Sequence, residues 1–286
     1  MNESPVVVGV DGTAHSLVAM RWAAAEAARR RVPLRVVLAY HWRAPWSAFA
    51  PGTELAHTAQ ELADIQADAF GREAAAAAPG ADVHATATLG RPAETLLAAA
   101  ASAGLLVVGT RGRRTTTGTV LGSVSQQVAT HATCPVAVVR GRAKPDGPVL
   151  VGFDGSEPAR LALELAFLEA AVRGCGVSAV RTVDTSVGPP AIGAPPLLFD
   201  AAEVRRALFE EAAEEVATTA VRHPGVAWDF HGLTGDAIGA LARRSRQAQL
   251  VVVGNRGHGG FAGLLLGSVS LRLLHRADCP VLIARA

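Results

Sequence analysis

The sequence predicts an α/β protein built from two tandem copies of one doubly wound domain, each with a five-stranded parallel sheet and helices on both faces. Three observations predict it. First, four blocks recur. Residues 5–12, PVVVGVDG, return as PVLVGFDG at 148–155; LLVVGTRG at 105–112 returns as LVVVGNRG at 250–257; LGSVS at 121–125 returns at 266–270; CPVAVVR at 134–140 returns as CPVLIAR at 279–285. The offset is 143 residues for the first pair and 145 for the rest, and a constant offset over separate blocks marks a duplication. Second, strand-like and helix-like segments alternate within each copy, the order that builds a parallel sheet covered on both faces. Third, right-handed crossovers restrict that order to a doubly wound arrangement.

The elements of the first copy follow in order. Residues 5–10 are a β-branched run bounded by turn formers. Residues 14–31 carry Leu17, Met20, Ala24 and Ala27 on one helical stripe. LRVVLAY at 34–40 is a second strand. An Ala-rich helix spans 54–78 and ends before Pro79 and Gly80. Residues 82–89 alternate as a strand, 92–103 form a helix, and 105–109 are a fully buried strand. A loop at 110–121 leads to a helix at 122–132 and a last strand at 135–139. The second copy repeats the order. The domains are expected at 1–143 and 148–286, with GRAKPDG at 141–147 as a short linker between them.

Composition narrows the class. Half of the 286 residues are apolar and 18% are charged, which argues for packed cores and against disorder. Arg, Gly or Pro interrupts every apolar run before it could cross a bilayer, and MNESPVVVGVDG reads as a first strand rather than a signal peptide. Three scattered cysteines, with no CxxC, suggest neither a disulfide framework nor a zinc site and fit a reducing cytoplasm. Net charge is only +2 and the basic residues are dispersed, so nucleic acid is not an expected partner.

Two features of each copy carry chemistry. One is the acidic turn after the first strand, Asp11-Gly12-Thr13 and Asp154-Gly155-Ser156. The other is a glycine pattern at identical spacing after the fourth strand: Gly109-x2-Gly112-x9-Gly122-Ser123 and Gly254-x2-Gly257-x9-Gly267-Ser268. Gly109 and Gly112 are expected to reach φ > 0 and let a ligand approach the backbone. Gly122 stands at a helix start, where its missing Cβ admits a phosphate and the N–H groups of Ser123, Val124 and Ser125 point at it. The hydroxyls of Ser123 and Ser125 could add hydrogen bonds, and Arg111, Arg113, Arg114, Arg256 and His258 could supply positive charge. Ligands of open α/β sheets bind beyond the carboxyl ends of the strands where the strand order reverses. Both features meet there if strands one and four are neighbours. An aspartate beside a triphosphate would repel it, so Asp11 and Asp154 are expected to meet the base, the ribose or a bridging Mg²⁺. Gly9 and Gly152, inside the first strands, are expected to leave room for a purine.

Each feature alone has a plainer reading. Asp-Gly-Thr before a helix is commonly a cap and turn, and a glycine loop after a buried strand is often a tight connection. Duplication at fixed spacing favours the functional reading. GxxxxGK[ST] is absent, and Gly257-x-Gly259-x-x-Ala262 imitates a dinucleotide fingerprint without a counterpart in the first copy. Nine histidines lack HxH or HExxH spacing. Cys134 and Cys279 read as small core residues, and His131 and His275 as helix-end caps.

These residues resemble a tandem universal stress protein. The glycine pattern, the strand-one aspartate and the Cys-Pro start of strand five all match that family, over almost the whole chain, twice. The resemblance implies strand order 3-2-1-4-5 and ATP, with Mg²⁺ as a companion, in the cleft between strands one and four. It implies an internal pseudo-dimer through strand five and allows a homodimer of the whole chain. Carried over position by position, the phosphate loop is Gly109, Thr110, Arg111, Gly112 and Arg113, then Gly122, Ser123, Val124 and Ser125. Its counterpart is Gly254, Asn255, Arg256, Gly257, His258, Gly259 and Gly260, then Gly267, Ser268, Val269 and Ser270. Val108 and Val253 line the purine. Backbone hydrogen bonds to adenine map near Tyr40 and Thr182, with Asp184 just beyond. The second copy's loop, NRGHGGFAGLLLGS, keeps the family pattern closely, whereas TRGRRTTTGTVLGS is Thr-rich with an extra Arg pair, which makes the first copy the weaker candidate.

The expected function is a nucleotide-binding stress-response regulator, located in the cytoplasm, with no catalytic residue and no protein-held metal assigned. A slow ATPase or another nucleotide-handling enzyme is the alternative. No general base is evident near the phosphates, and neither SGGxDS nor HIGH occurs in the chain. ATP, AMP and cyclic AMP are not separated by the spacing alone.

Overall fold

A computed structural model describes residues 4–41, 54–110, 121–184, 201–258 and 265–285. The chain divides into two compact units, Met1–Arg140 with Ala286, and Gly141–Arg285. The first contains β1 (Val6–Val10), α1 (Ala14–Arg30), β2 (Leu34–Tyr40), α2 (Glu54–Ala77), β3 (Val83–Leu89), α3 (Pro92–Ala100), β4 (Leu105–Gly109), α4 (Ser123–His131) and β5 (Val136–Val139). The second contains β6 (Val149–Gly152), α5 (Glu157–Arg173), β7 (Val177–Val183), α6 (Ala201–Val221), β8 (Trp228–Thr234), α7 (Ala237–Arg244), a 3-10 turn at Ser245–Gln247, β9 (Leu250–Gly254), α8 (Ser268–Arg276) and β10 (Val281–Ala284).

Within the first unit the strands run β3-β2-β1-β4-β5, all parallel, and the second repeats this as β8-β7-β6-β9-β10. The order expected from the resemblance is the order found. The strand order therefore reverses between β1 and β4, with Val6 opposite Leu105, and between β6 and β9, with Val149 opposite Leu250.

Burial follows the layering. β4 and β9 are buried at every residue, because helices cover both faces of a central parallel strand. In the first unit α1 and α2 pack on one face, α3 and α4 on the other; α5 and α6 oppose α7 and α8 in the second. Edge strand β3 alternates half-buried with exposed residues, as an edge covered on one face should.

The first helix of each unit starts and stops by the same device. Thr13 and Ser156 are N-caps that accept from the amides of Ser16 and Ala159. At the other end Arg31 and Gly174 take left-handed conformations, φ 55° and 65°, and return their amides to the last helical carbonyls.

The segment expected to be a linker is an integral part of the second unit. Arg142 donates to the Asp278 carbonyl at 2.7 Å and Lys144 to that of Ala248 at 3.0 Å. A Cβ on Gly141 would lie 2.0 Å from the Asp278 carbonyl oxygen, and one on Gly147 2.1 Å from that of Gln247. Turn-rich composition signalled a change of direction correctly; it carried no information about docking. Among the described residues no helix is long and apolar enough to cross a membrane.

Candidate functional site

At the carboxyl ends of β6 and β9 lies a cavity of about 210 Å³. The main chain builds it. β6 stops pairing with β7 after Phe153 donates to Val180 at 2.9 Å, and the chain turns away through Asp154-Gly155-Ser156. Gly155, at φ +84°, makes that turn. Ser156 then caps α5. On the other side of the reversal, Gly254 ends β9 and the chain runs through Arg256, Gly257 and His258, which line the cavity.

The glycine pattern ends at a helix start. Gly267 is the N-cap of α8 and, having no side chain, leaves the first-turn amides of that helix without a side-chain acceptor. Its own amide donates to the Asn255 carbonyl at 2.7 Å, which ties the helix start to the loop. Gly122 and Thr110 form the same bond at 2.7 Å in the first unit. Ser268, Val269 and Ser270 all line the cavity, so the positive end of the α8 dipole faces it. Asp154 and Thr182 aside, the rest of the wall is apolar: Phe153, Ala159, Val180, Ala237, Leu241 and Val253.

Several residues singled out in the sequence have other duties. Gly109 and Gly254 do not have positive φ. A Cβ on Gly109 would lie 2.7 Å from the His15 carbonyl oxygen, and on Gly254 2.7 Å from that of Pro158, so these glycines let the first turns of α1 and α5 pack onto the ends of β4 and β9. Gly257 likewise lacks positive φ; a Cβ there would lie 2.3 Å from Asp154 Oδ2. Gly9 and Gly152 do not open space for a purine at their missing Cβ. Leu96 Cδ1 would lie 2.6 Å from a Cβ on Gly9, and Leu241 Cδ1 2.9 Å from one on Gly152, although Gly152 does line the cavity. The hydroxyls of Ser125 and Ser270 are buried and donate to the carbonyls of Gly109 (2.6 Å) and Gly254 (2.7 Å). Ser123 and Ser268 are exposed at the helix starts.

The end of strand two needs a shift of one residue. Val177 pairs with Val149 and Leu34 with Val6, so Val183 is the counterpart of Tyr40, and Ala39 that of Thr182. The carbonyl of Tyr40 accepts from Gly90 (2.9 Å) and that of Val183 from Gly235 (3.0 Å), both toward the outer strand. Alternation in a parallel ladder then turns the backbone of Ala39 and Thr182 toward the reversal point. Thr182 lines the cavity. The Tyr40 hydroxyl instead donates to Gln60 Oε1, and burial together with the Asp64 charge pushes it above the usual tyrosine value. Asp184 is exposed beyond β7 and is not among the lining residues.

Asp154 is the charged centre of the cavity. Its Oδ1 accepts from the Ser156 hydroxyl at 2.6 Å and amide at 3.0 Å, and its Oδ2 from the His258 amide at 3.1 Å. The His258 ring places Nδ1 3.6 Å from Oδ1. Burial pushes this carboxyl up, but the Ser156 and His258 hydrogen bonds and the His258 charge outweigh it and hold it below the ordinary aspartate value. In the first unit Asp11 Oδ1 accepts from the hydroxyl and amide of Thr13, at 2.7 and 3.1 Å. Val108 is buried at the matching position on β4. Arg111, Gly112 and Arg113 of the first loop, Gly259 and Gly260 of the second, and the strand-two connections 42–53 and 185–200 lie outside the described residues.

Sequence reasoning missed Phe153, Ala159, Val180, Ala237 and Leu241. Val180 was reachable, two residues before Thr182 on the same face of β7. Ala237 and Leu241 were not, because nothing local says which turn of α7 leans over the strand ends. Among the described residues no group of three or more His, Cys, Asp or Glu side chains is placed to hold a metal.

The profile of the universal stress protein family matches residues 4–140 and 147–285. A universal stress protein of Mycobacterium tuberculosis is 38% identical over 291 residues, covering 98% of this chain and 96% of the relative. One of Mycolicibacterium smegmatis is 35% identical over 297 residues, covering 99% and 97%. Among solved structures, a universal stress protein from Archaeoglobus fulgidus shares the fold at a TM-score of 0.72 and 19% identity, covering 100% of this chain and 99% of that one. A Pseudomonas aeruginosa protein described as functionally unknown does so at 0.65 and 16%, covering 99% and 92%. The chain belongs to the universal stress protein family, with two tandem copies of the family's domain.

Proposed function

We propose that this protein is an adenine-nucleotide-binding regulator, with ATP and its Mg²⁺ held in the second domain's cavity and in the equivalent place of the first. One observation carries the reading: the uncapped first turn of α8 and Gly254, Arg256, Gly257 and His258 of the glycine loop line one cavity with the apolar Val180, Leu241 and Val253 and with Thr182. Amides at a helix start bind phosphate, the apolar wall of Val180, Leu241 and Val253 suits a flat base, and Thr182 offers it backbone hydrogen bonds. Asp154 would face the ribose or the cation, because a bare carboxylate repels phosphate. The regulator reading rests on the difference a bound nucleotide makes between two conformations. A regulator of this kind acts in the cytoplasm, alone or as a homodimer.

The test is direct. Purified protein is denatured and the supernatant analysed for nucleotide, and the apo protein is titrated with Mg·ATP by calorimetry. Nucleotide release and saturable binding are expected. A Cβ on Gly267 would sit 3.3 Å from Arg256 Cα, close enough to fit with a small shift. The Gly122→Val, Gly267→Val double variant, its fold checked by circular dichroism, is expected to lose binding. No released nucleotide and no calorimetric signal would overturn the reading. Multiple-turnover phosphate release abolished in the double variant would replace it with an ATPase.

A further inference from the structure

The His258 amide of the second domain is held by a carboxylate. The Asp154 carboxylate is gripped from two sides, by Ser156 on Oδ1 and by the backbone amide of His258 on Oδ2, at 2.6 to 3.1 Å. Gly257 is what permits the second grip, since a Cβ there would lie 2.3 Å from Oδ2. Asp154 and His258 are 104 residues apart in the chain, so the contact closes the glycine loop onto the turn after β6. A carboxylate oxygen on a loop amide does chemically what a phosphate oxygen would do there. Gly257 and His258 face the same cavity as the start of α8.

We propose that Asp154 is the internal anion of the second domain's loop, a competitor that a ligand phosphate must displace from the His258 amide. This rests on the reading that the loop holds phosphates. Affinity for a bare polyphosphate is then set by exchange of one anion for another rather than by filling of an open donor. A divalent cation on the phosphates reverses the part Asp154 plays, because the displaced carboxylate gains a positive partner. Asp154 thus selects for cation-complexed over free polyphosphate. An aspartate that merely positioned the loop would have the opposite effect on removal, since binding would weaken.

The full-length protein and its Asp154→Asn variant are titrated with inorganic tripolyphosphate and with ATP, each without Mg²⁺ and with excess Mg²⁺. Asparagine keeps an oxygen for Ser156 and the shape of the turn. Without Mg²⁺ the variant is expected to bind about tenfold more tightly, the size of one charge-assisted hydrogen bond, and the difference is expected to narrow with Mg²⁺. Amide exchange at His258 separates competition from simple charge repulsion. In the variant that amide is expected to lose protection without ligand and regain it with tripolyphosphate. Gly257→Ala keeps the charge but evicts the carboxylate, and is expected to lose the same protection. Equal or weaker binding by the Asp154→Asn variant, or unchanged His258 exchange, overturns this inference alone. No binding of either ligand by either protein overturns the nucleotide reading and this inference with it.

Discussion

The hydroxyl of Ser270 donates to the carbonyl of Gly254 across 2.7 Å, which fastens the first turn of α8 to the last residue of β9. Ser270 is 4% exposed, so water does not replace the bond when it is removed. Ser270→Ala is expected to lower stability by about 1–2 kcal/mol, a lost net hydrogen bond plus a buried carbonyl left short of a donor. Ser268→Ala, at an exposed position two residues earlier, is expected to change stability by less than about 0.5 kcal/mol. Urea unfolding of both variants measures the contrast.

Gly254 and Gly9 are both short of room, but against different neighbours. A methyl on Gly254 meets the backbone carbonyl of Pro158 at 2.7 Å; a methyl on Gly9 meets the Leu96 side chain at 2.6 Å. A side-chain end can rotate away, whereas a helix backbone cannot. Gly254→Ala is expected to cost roughly 2–3 kcal/mol or more, and Gly9→Ala about 1 kcal/mol. Equal losses in urea unfolding would show that the two contacts are alike in stiffness.

These glycines mark where the sequence stopped being legible. The duplication, the element order and the meeting of the Asp154 turn with the Gly254–Gly267 loop were all readable, because spacing and periodicity are properties of the chain itself. What filled the place of each missing Cβ was not. Gly9, Gly109, Gly152 and Gly254 look alike in sequence, yet Leu96, the His15 carbonyl, Leu241 and the Pro158 carbonyl occupy those places. The same limit paired Tyr40 with Thr182, where the ladder register pairs it with Val183, because a strand carries no local record of its register.

Arg31 is the described non-glycine residue with positive φ, at 55°, and Gly174 takes the equivalent place in the second unit at 65°. A left-handed conformation costs an L-residue about 1–2 kcal/mol, and glycine gives back part of that gain through its freer unfolded chain. Arg31→Gly is expected to stabilise the first domain by roughly 0.5–1 kcal/mol. Gly174→Ala is expected to destabilise the second by about 1 kcal/mol. Thermal unfolding checks both signs.

Glu164 couples the second domain's stability to acid. Arg222 lies 2.6 Å and His223 2.9 Å from its carboxylate, and His223 stacks on Phe167 at 5.4 Å between centroids. Burial pushes the Glu164 carboxyl up, but the two partners outweigh it and hold it below the usual glutamate value. The folded state therefore binds this proton less readily than the unfolded state. The contribution is complete above the unfolded value, near pH 4, and disappears as pH falls through the lower folded value. Glu164→Gln is expected to be less stable than the parent at pH 6 and to approach it at pH 3. Parallel urea curves separated by the same gap at both pH values would contradict the assignment.

Thr182 and Tyr40 give opposite expectations for nucleotide binding, although the sequence paired them. Thr182 lines the second cavity and turns its backbone toward the reversal point. Tyr40 spends its carbonyl on Gly90 and its hydroxyl on Gln60. Tyr40→Phe is therefore expected to leave ATP affinity unchanged while costing at most about 1 kcal/mol of stability through the lost Gln60 bond. At Thr182 the backbone offers the hydrogen bonds, so Thr182→Ala should weaken ATP binding only slightly. A bulky Thr182→Phe fills the cavity and is expected to weaken it at least about tenfold, since a ligand denied its place loses more than 1.4 kcal/mol of contact. Calorimetric titration of the three variants decides the matter. Loss of affinity in Tyr40→Phe with none in Thr182→Phe would return the base to the outer side of strand two, and with it the register argued from Val183 and Gly235.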